Sequence, residues 1–165
     1  MNIMTCSFSG HREILRIHEG ELCALLSKTI DELIAAGVRR FCSGGAVGFD
    51  LLAARIVLEK KLRGADVSLS MILPCPDQAK GWSFGDKTIH SGILHLADEI
   101  IYTSDHYHRF CMSIRNQRLV DEADVLVCYL AKKTGGTANT VRYANARQKR
   151  IINLCDLFAD GRTEE

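Results

Sequence analysis

The pattern of hydrophobic and polar positions alternates between short apolar runs and longer amphipathic stretches. The apolar runs predict strands at residues 3–7, 40–43, 68–73, 99–103, 125–129 and 151–155. Most of them are continuous and rich in Val, Ile and Leu, which is typical of strands whose two faces are both covered by helices. The amphipathic stretches predict helices at residues 21–36, 49–62, 88–96, 112–122 and 136–148. In the first helix, apolar residues recur at helical spacing, and Gly37 is placed to end it.

This regular alternation of strand and helix predicts the fold class. We expect an α/β fold with a doubly wound, mostly parallel sheet of about six strands and helices on both faces. No linker, repeat or low-complexity segment interrupts the pattern. The sequence therefore predicts a single domain over residues 1–165, with a loose tail at 160–165.

Composition narrows the class of protein. Of the 165 residues, 47% are hydrophobic and 25% are charged, as is ordinary for a globular chain. The formal net charge is +1, so any nucleic-acid contact would need a local basic patch. No run reaches the length of a membrane span, and the predicted location is the cytoplasm. The seven cysteines are odd in number and include no C-x-x-C pair, which favours reduced thiols over a disulfide framework.

Two glycine loops carry the main functional signal. The first loop, residues 43–50, reads Ser43-Gly44-Gly45-Ala46-Val47-Gly48-Phe49-Asp50 and follows the second predicted strand. The second loop, Gly135-Gly136-Thr137, follows the fifth strand. Glycines let the backbone N–H groups at the positive end of a helix approach a phosphate. Both loops lie at strand carboxyl ends, where ligands bind in such sheets, and this predicts a phosphate or nucleotide site.

Each loop also has an explanation that needs no ligand. The glycines of the first loop would equally allow a tight, closely packed strand-to-helix turn. Asp50 would bond the first free N–H groups of its helix, or else hold the loop or a ribose hydroxyl. In the second loop, Thr137 or Asn139 would serve as a helix cap.

Further candidates lie in the loops after the first and third strands. Arg12, next to Gly10 and His11, is expected to contact a phosphate or carboxylate; the alternative is a surface salt bridge. Gln78 would read a base or sugar edge, or else cap the following turn. Trp82 would stack on a base, or else pack its loop onto the fold.

A metal site is not predicted. The spacings match no common zinc pattern. The residues considered are His90, His95, His106, His108 and Cys111.

These motifs resemble those of the YpsA-like proteins of the SLOG superfamily, which also contains the LOG phosphoribohydrolases and the DNA-processing protein DprA. The resemblance covers residues 4–156. It is carried by Gly10-His11-Arg12, by both glycine loops, by the P-x-x-x-Q-x-x-x-W spacing of Pro74, Gln78 and Trp82, and by Arg115-Asn116.

The resemblance implies a Rossmann-like fold that binds a nucleotide-type ligand; no other cofactor is implied. The phosphate would rest on Gly44, Gly45 and Gly136. Arg12 and Arg115 would supply positive charge, and the base would lie toward Trp82. The leading hypothesis is therefore a nucleotide-binding sensor or regulatory domain.

An enzymatic alternative follows from the same resemblance. The LOG enzymes cleave the N-glycosidic bond of nucleoside monophosphates with an arginine and a glutamate in a P-G-G-x-G-T-x-x-E loop. Arg115 stands where the arginine would be, but Arg142 replaces the glutamate, and an arginine cannot act as a carboxylate. A hydrolase of nucleoside monophosphates or ADP-ribose-like ligands would need another carboxylate, with Asp50, Asp121 and Glu122 as candidates.

Partners other than a small molecule stay open at this point. A single-stranded DNA-binding module like DprA is a further alternative, which the low net charge disfavours. The sequence decides neither a homo-oligomer nor a protein partner.

Overall fold

The computed structural model describes residues 3–158, which form a six-stranded sheet and five α-helices. The strands are β1 Met4–Gly10, β2 Val38–Ser43, β3 Ser68–Leu73, β4 Glu99–Tyr102, β5 Val125–Tyr129 and β6 Arg150–Asn153. The helices are α1 Leu22–Ala35, α2 Phe49–Leu62, α3 Phe84–Leu96, α4 Cys111–Glu122 and α5 Gly136–Ala146. The strand order is β4-β3-β2-β1-β5-β6, and every neighbouring pair is parallel. The predicted doubly wound α/β fold is confirmed.

Both faces of the sheet are covered by helices. Cys6 and Phe8 of β1 join the large core that includes buried residues of α1, α2 and α3. Ser7 lies between them and points to the opposite face, because successive strand residues alternate. Its hydroxyl donates a hydrogen bond to the Leu119 carbonyl oxygen of α4, at 2.6 Å. Helices α4 and α5 therefore cover this second face, where they pack against β3 and β5.

The direction of strand addition reverses at β1. Strands β2, β3 and β4 lie on one side of β1, and β5 and β6 lie on the other. The loops after β1 and β5 therefore lead to helices on opposite faces and leave a crevice between them. In open α/β sheets this reversal point, outside the strand carboxyl ends, is the usual ligand position.

The third helix begins earlier than predicted because a serine caps it. Helix α3 begins at Phe84, whereas the apolar pattern predicts a start at residue 88. The Ser83 hydroxyl accepts a hydrogen bond from the Asp86 backbone amide at 3.1 Å. This bond satisfies one of the free N–H groups of the first turn, which allows the helix to begin there.

The last strand ends earlier than predicted, again because of a capping side chain. The oxygen of the Asn153 amide accepts a hydrogen bond from the Cys155 backbone amide at 3.1 Å. Residues Leu154–Leu157 then form a 3₁₀ turn, so Cys155 lies in this turn rather than in the predicted strand. The first strand, in contrast, continues to Gly10, three residues beyond its predicted end.

The thiols and the helix lengths complete the description. All seven cysteines are free; Cys23 is exposed and the others are buried. No helix in residues 3–158 is long and apolar enough to cross a membrane. The predicted loose tail lies outside the described residues.

Candidate functional site

A cavity of about 270 Å³ lies in the crevice at the carboxyl ends of β1 and β5. We call it the inner cavity. Its walls come from the loop after β1, the start of α2, the first half of α4 and the start of α5. The residues that line it are Ser9, Gly10, His11, Arg12, Ala46, Asp50, Met112, Arg115, Asn116, Gly136 and Thr137.

Asp50 is a buried carboxylate in the wall of this cavity. The residue is only 5% exposed, and its Oδ1 has no hydrogen-bond partner among the described residues. Burial raises the pKa of Asp50 to about 6, although the positive charge of Arg115 acts in the opposite direction. A buried polar atom without a partner lowers stability. Oδ1 is therefore a buried acceptor in a residue of the cavity wall, and none of the described residues supplies its donor.

Arg115 is a buried residue of the cavity wall and is held by several contacts. Its Nη1 donates a hydrogen bond to the Gly44 carbonyl oxygen, and its Nε donates to Asn116 Oδ1 at 2.7 Å. Burial lowers the pKa of Arg115, while the charge of Asp50 raises it. An arginine remains protonated under such a shift. Arg115 therefore supports the first glycine loop and gives the cavity a positive charge.

The first glycine loop is filled by the protein's own atoms. A β-carbon on Gly44 would lie 2.7 Å from Arg115 Nη1, and one on Gly45 would lie 2.6 Å from a leucine of β3. On Gly48, where φ is +88°, it would lie 2.2 Å from the Arg12 carbonyl oxygen. Close packing within the protein accounts for these three glycines. None of them lines the inner cavity.

Ser43 and Gln78 also support this loop. The Ser43 hydroxyl donates to the Asp50 carbonyl oxygen at 2.9 Å. Gln78 Nε2 donates to the Gly44 carbonyl oxygen at 2.9 Å, and Gln78 Oε1 accepts from His90 Nε2 at 3.1 Å. Both side chains are buried, so their polar groups are used within the fold.

Trp82 lies beyond this hydrogen-bonded pair. Its ring meets the His90 ring edge to face, with the centroids 5.1 Å apart and an interplanar angle of 80°. The indole is partly buried against the main core. Neither Trp82 nor Gln78 is among the residues that line the inner cavity.

The second glycine loop is open. Gly135 has φ +99°, and Gly136 is the first residue of α5. A β-carbon on either would have no atom within 4 Å beyond its immediate chain neighbours and its own helix backbone. Gly136 lines the inner cavity. The positive end of α5, with its free N–H groups, therefore adjoins unfilled space.

Arg12 and His11 form the rim of the cavity on the β1 side. Arg12 is exposed, and its side chain makes no ion pair or hydrogen bond with another residue in 3–158. His11 Nε2 accepts hydrogen bonds from the backbone amides of Ala131 and Lys132, at 3.0 and 3.2 Å. Burial lowers the pKa of His11, so the ring is neutral and carries its proton on Nδ1. His11 was not a predicted site residue, although its place in the Gly10-His11-Arg12 motif was a usable signal.

A second cavity of about 420 Å³ adjoins the first, between α4 and α5. We call it the outer groove. The two share Met112, Asn116 and Gly136. The other residues lining the groove are Arg109, Ser113, Gln117, Asn139, Thr140 and Tyr143. Sequence patterns do not single these residues out, because they converge only when α4 packs against α5.

The structure separates the three candidate carboxylates. Asp50 lines the inner cavity. Asp121 Oδ1 instead accepts a hydrogen bond from the Tyr143 hydroxyl at 2.9 Å. Glu122 is paired with Arg40 at 2.7 Å, near the amino ends of the strands.

Arg142, at the position of the LOG glutamate, lines neither cavity. It is exposed, and its Nη2 donates a hydrogen bond to Asn139 Oδ1. Residues 3–158 contain no group of three or more His, Cys, Asp or Glu side chains placed to hold a metal ion.

The structure thus brings half of the predicted site residues to one cavity. Those at the inner cavity are Gly10, Arg12, Asp50, Arg115, Asn116, Gly136 and Thr137. Those that do not line it are Ser43, Gly44, Gly45, Gly48, Gln78, Trp82 and Gly135.

Comparison with known sequences assigns the chain to a family. The model of the YpsA family, described as the YspA SLOG family, matches residues 20–156, and the chain belongs to this family. It is 28% identical to the SPbeta prophage-derived protein YoqJ of Bacillus subtilis (strain 168), over 72% of this chain and 77% of YoqJ. It is 22% identical to a UPF0398 protein of Bacillus thuringiensis (strain Al Hakam), over 86% of this chain and 79% of that protein. The resemblance to YpsA-like SLOG proteins is confirmed.

Solved structures share the fold. DNA processing protein A (DprA) from Streptococcus pneumoniae has a TM-score of 0.67 and 16% identity, over 96% of this chain and 54% of that one. DprA from Helicobacter pylori, described for its single-stranded DNA binding mode, has a TM-score of 0.64 and 19% identity, over 90% and 63%. The protein TM1055 has a TM-score of 0.59 and 18% identity, over 99% and 86%. The chain spans less than two thirds of either DprA chain, and at these identities the likeness shows the fold alone.

Proposed function

We propose that this protein binds a nucleotide derivative in the inner cavity and acts as a sensor or regulatory domain. The observation that carries the proposal is the buried Oδ1 of Asp50, which has no hydrogen-bond partner among residues 3–158. Asp50 lines the same cavity as Gly136, at the open start of α5. A sugar hydroxyl would donate the missing hydrogen bond. A phosphate would accept hydrogen bonds from the first N–H groups of α5.

The charges around the inner cavity favour a ligand with both phosphate and hydroxyl groups. Arg115 and Asp50 carry opposite charges, and Arg12 adds a positive charge that no described residue pairs. The excess favours an anion near Arg12, Gly136 and Thr137. The Asp50 carboxylate would repel a phosphate beside it, so we expect neutral hydroxyl groups on that side.

Identification of the ligand tests this proposal. Small molecules released from the purified, denatured protein are identified by mass spectrometry, and each is then added back in a thermal-shift assay. A ligand at about 100 times its dissociation constant adds ~2.7 kcal/mol to the free energy of unfolding. The proposal expects a phosphorylated nucleoside derivative to stabilise the protein. It is contradicted if no such compound co-purifies and none in a broad panel raises the melting temperature.

Two arginine variants provide a matched control. Arg12→Ala is expected to weaken binding of the identified nucleotide by roughly tenfold or more, because a hydrogen bond to a charged group contributes about 1.5–3 kcal/mol. Arg63→Ala removes an exposed arginine that directly follows the C-terminal end of α2, away from the start of α2 at the inner cavity. Arg63 lines neither cavity. Titration calorimetry should find that the affinity of Arg63→Ala for the nucleotide equals that of the wild type. Equal losses in both variants would point to general charge rather than to this site.

Hydrolysis of the ligand's N-glycosidic bond is a second candidate function. It is favoured because Asp50, of the three candidate carboxylates, lines the cavity together with Arg115. Water would add to the anomeric carbon and give a proton to the Asp50 carboxylate. The base would leave with the electron pair of the broken bond and take up that proton. With a pKa of about 6, Asp50 populates both protonation states near neutral pH.

Product analysis tests the hydrolase function directly. Free base should appear from a nucleoside monophosphate or from ADP-ribose, and Asp50→Asn should abolish its release. Intact substrate across the whole panel, in a protein that binds those compounds, would leave binding as the function and reject hydrolysis.

A further inference from the structure

We propose that the outer groove is the base-binding part of the site, and that it holds the nucleobase of a ligand whose sugar phosphate occupies the inner cavity. This inference rests on the proposed function. It places the base between α4 and α5 and not at Trp82, the position that the resemblance implies.

The two cavities adjoin each other. Met112, Asn116 and Gly136 line both of them. A ligand held at the start of α5 therefore lies beside residues that line both cavities. Sites for small ligands have volumes of roughly 300–1,000 Å³. The inner cavity, at about 270 Å³, is suited to a sugar phosphate, and the groove, at about 420 Å³, provides the remaining space.

Tyr143 gives the groove an aromatic wall with a fixed orientation. Its hydroxyl donates a hydrogen bond to Asp121 Oδ1 at 2.9 Å, and its side chain is half-buried. The bond holds the ring in place on α5, where it lines the groove. A fixed aromatic ring loses little conformational freedom when a base stacks on it.

Amide side chains provide hydrogen-bonding groups for a base edge. Asn116 Oδ1 accepts from Arg115 and Asn139 Oδ1 accepts from Arg142, so in each case the amide nitrogen has no partner among the described residues. Gln117 makes no side-chain hydrogen bond to another described residue. None of the described residues that line the groove is acidic. Free amide donors in an acid-free groove suit the ring nitrogens and carbonyl oxygens of a nucleobase.

The space between Trp82 and the first glycine loop is filled by two side chains. Gln78 and His90 are buried and hydrogen-bonded to each other, and they stand between Trp82 and Gly44. A base placed between Trp82 and the first glycine loop would have to displace this pair. Such a movement would leave the Gly44 carbonyl oxygen without one of its donors.

The test compares a ligand that has a base with one that lacks it. Titration calorimetry of the full chain is carried out with AMP, ADP-ribose and ribose 5-phosphate. We expect Tyr143→Ala to weaken the binding of AMP and ADP-ribose by about fivefold or more, the effect of losing one base–aromatic stack. Asn139→Ala should weaken them in the same direction. Binding of ribose 5-phosphate should be unchanged in both variants.

Two further variants keep the result interpretable. Tyr143→Phe retains the ring but loses the hydrogen bond to Asp121, so it should weaken the binding of AMP less than Tyr143→Ala does. Trp82→Leu should leave the binding of AMP unchanged. A melting curve without ligand shows whether each variant is folded.

The proposal is overturned if AMP binds Tyr143→Ala and Asn139→Ala as tightly as the wild type, or if Trp82→Leu selectively loses AMP. It is also overturned if AMP binds the wild type no more tightly than ribose 5-phosphate does. Failure of the proposed function gives a different pattern. In that case none of the three compounds binds the wild-type protein, and both proposals fall together.

Discussion

The two glycine loops have similar sequences but differ in what occupies the space beside them. A β-carbon on Gly44 or Gly45 would lie within 3 Å of another side chain, whereas one on Gly135 or Gly136 would meet no atom within 4 Å. The glycines of the first loop admit the protein's own side chains. Those of the second loop leave room at a helix N-terminus. A glycine-rich turn after a strand therefore indicates that some group approaches the backbone closely. Only the structure shows whether that group is one of the protein's own side chains or a ligand.

The largest effect is expected where the first loop is most tightly packed. Gly48→Ala should lower the free energy of unfolding by about 3 kcal/mol or more, because it combines a positive φ with a contact of 2.2 Å to the Arg12 carbonyl oxygen. Denaturant unfolding measures this loss. A loss below about 1 kcal/mol would mean that the first loop is not closed as described.

The next effect concerns Asp50, at the end of the same loop. Its folded-state pKa is about 6, raised by burial from 3.8. A raised carboxyl pKa stabilises the fold below about pH 4, and this contribution is lost as the pH rises through 6. The loss at pH 7 is about 3 kcal/mol, from about two pKa units. Asp50→Asn should remove this pH dependence between 4 and 6. Parallel unfolding profiles of variant and wild type would contradict it.

A smaller effect is expected at the second loop. Gly136→Ala should change the free energy of unfolding by less than about 0.5 kcal/mol, because a β-carbon there meets no neighbouring atom. It should nevertheless weaken nucleotide binding by roughly tenfold, because the backbone at this position must approach the phosphate. Unfolding and titration of the same preparation separate the two effects. A large loss of stability in Gly136→Ala with unchanged nucleotide binding would mean that the second loop, like the first, is packed by the protein and does not bind the ligand.

The smallest expected effect is on DNA. The DprA structures share this fold, but the present chain has a formal net charge of only +1. Phosphate contacts along a DNA strand need several basic residues, and the binding of DNA then weakens steeply with salt. We expect no gel shift of a single-stranded oligonucleotide at physiological salt. A salt-dependent shift that Arg12→Ala and Arg109→Ala both weaken would favour a DNA function for the two cavities.

The fold was predictable because its information is local and repeated. Apolar runs such as that of Val125–Tyr129 mark fully buried parallel strands, and amphipathic stretches mark the helices between them. The element ends were less predictable, because single side chains determine them. Ser83 and Asn153 each bond a backbone amide and so decide where α3 begins and β6 ends.

The site was predictable only as far as it follows from strand ends. Arg12 and Gly136 are brought together because the order of strand addition reverses at β1, which places β1 and β5 side by side and parallel. The contrary case is Gln78, whose motif marks a side chain that supports the Gly44 backbone rather than lining the inner cavity. The outer groove depends on how α4 packs against α5. No residue spacing within either helix contains that information.

The most direct measurement is the melting temperature of wild type and Asp50→Asn at pH 7, each with and without the co-purifying nucleotide or, failing one, ADP-ribose. If the role of Asp50 is to bind a ligand, then in the absence of ligand the variant should melt at a higher temperature than the wild type, because it no longer buries a charge. It should then gain far less from the ligand. A variant that melts lower than wild type and gains as much from the ligand would show that Asp50 serves the fold, and would contradict the proposed site.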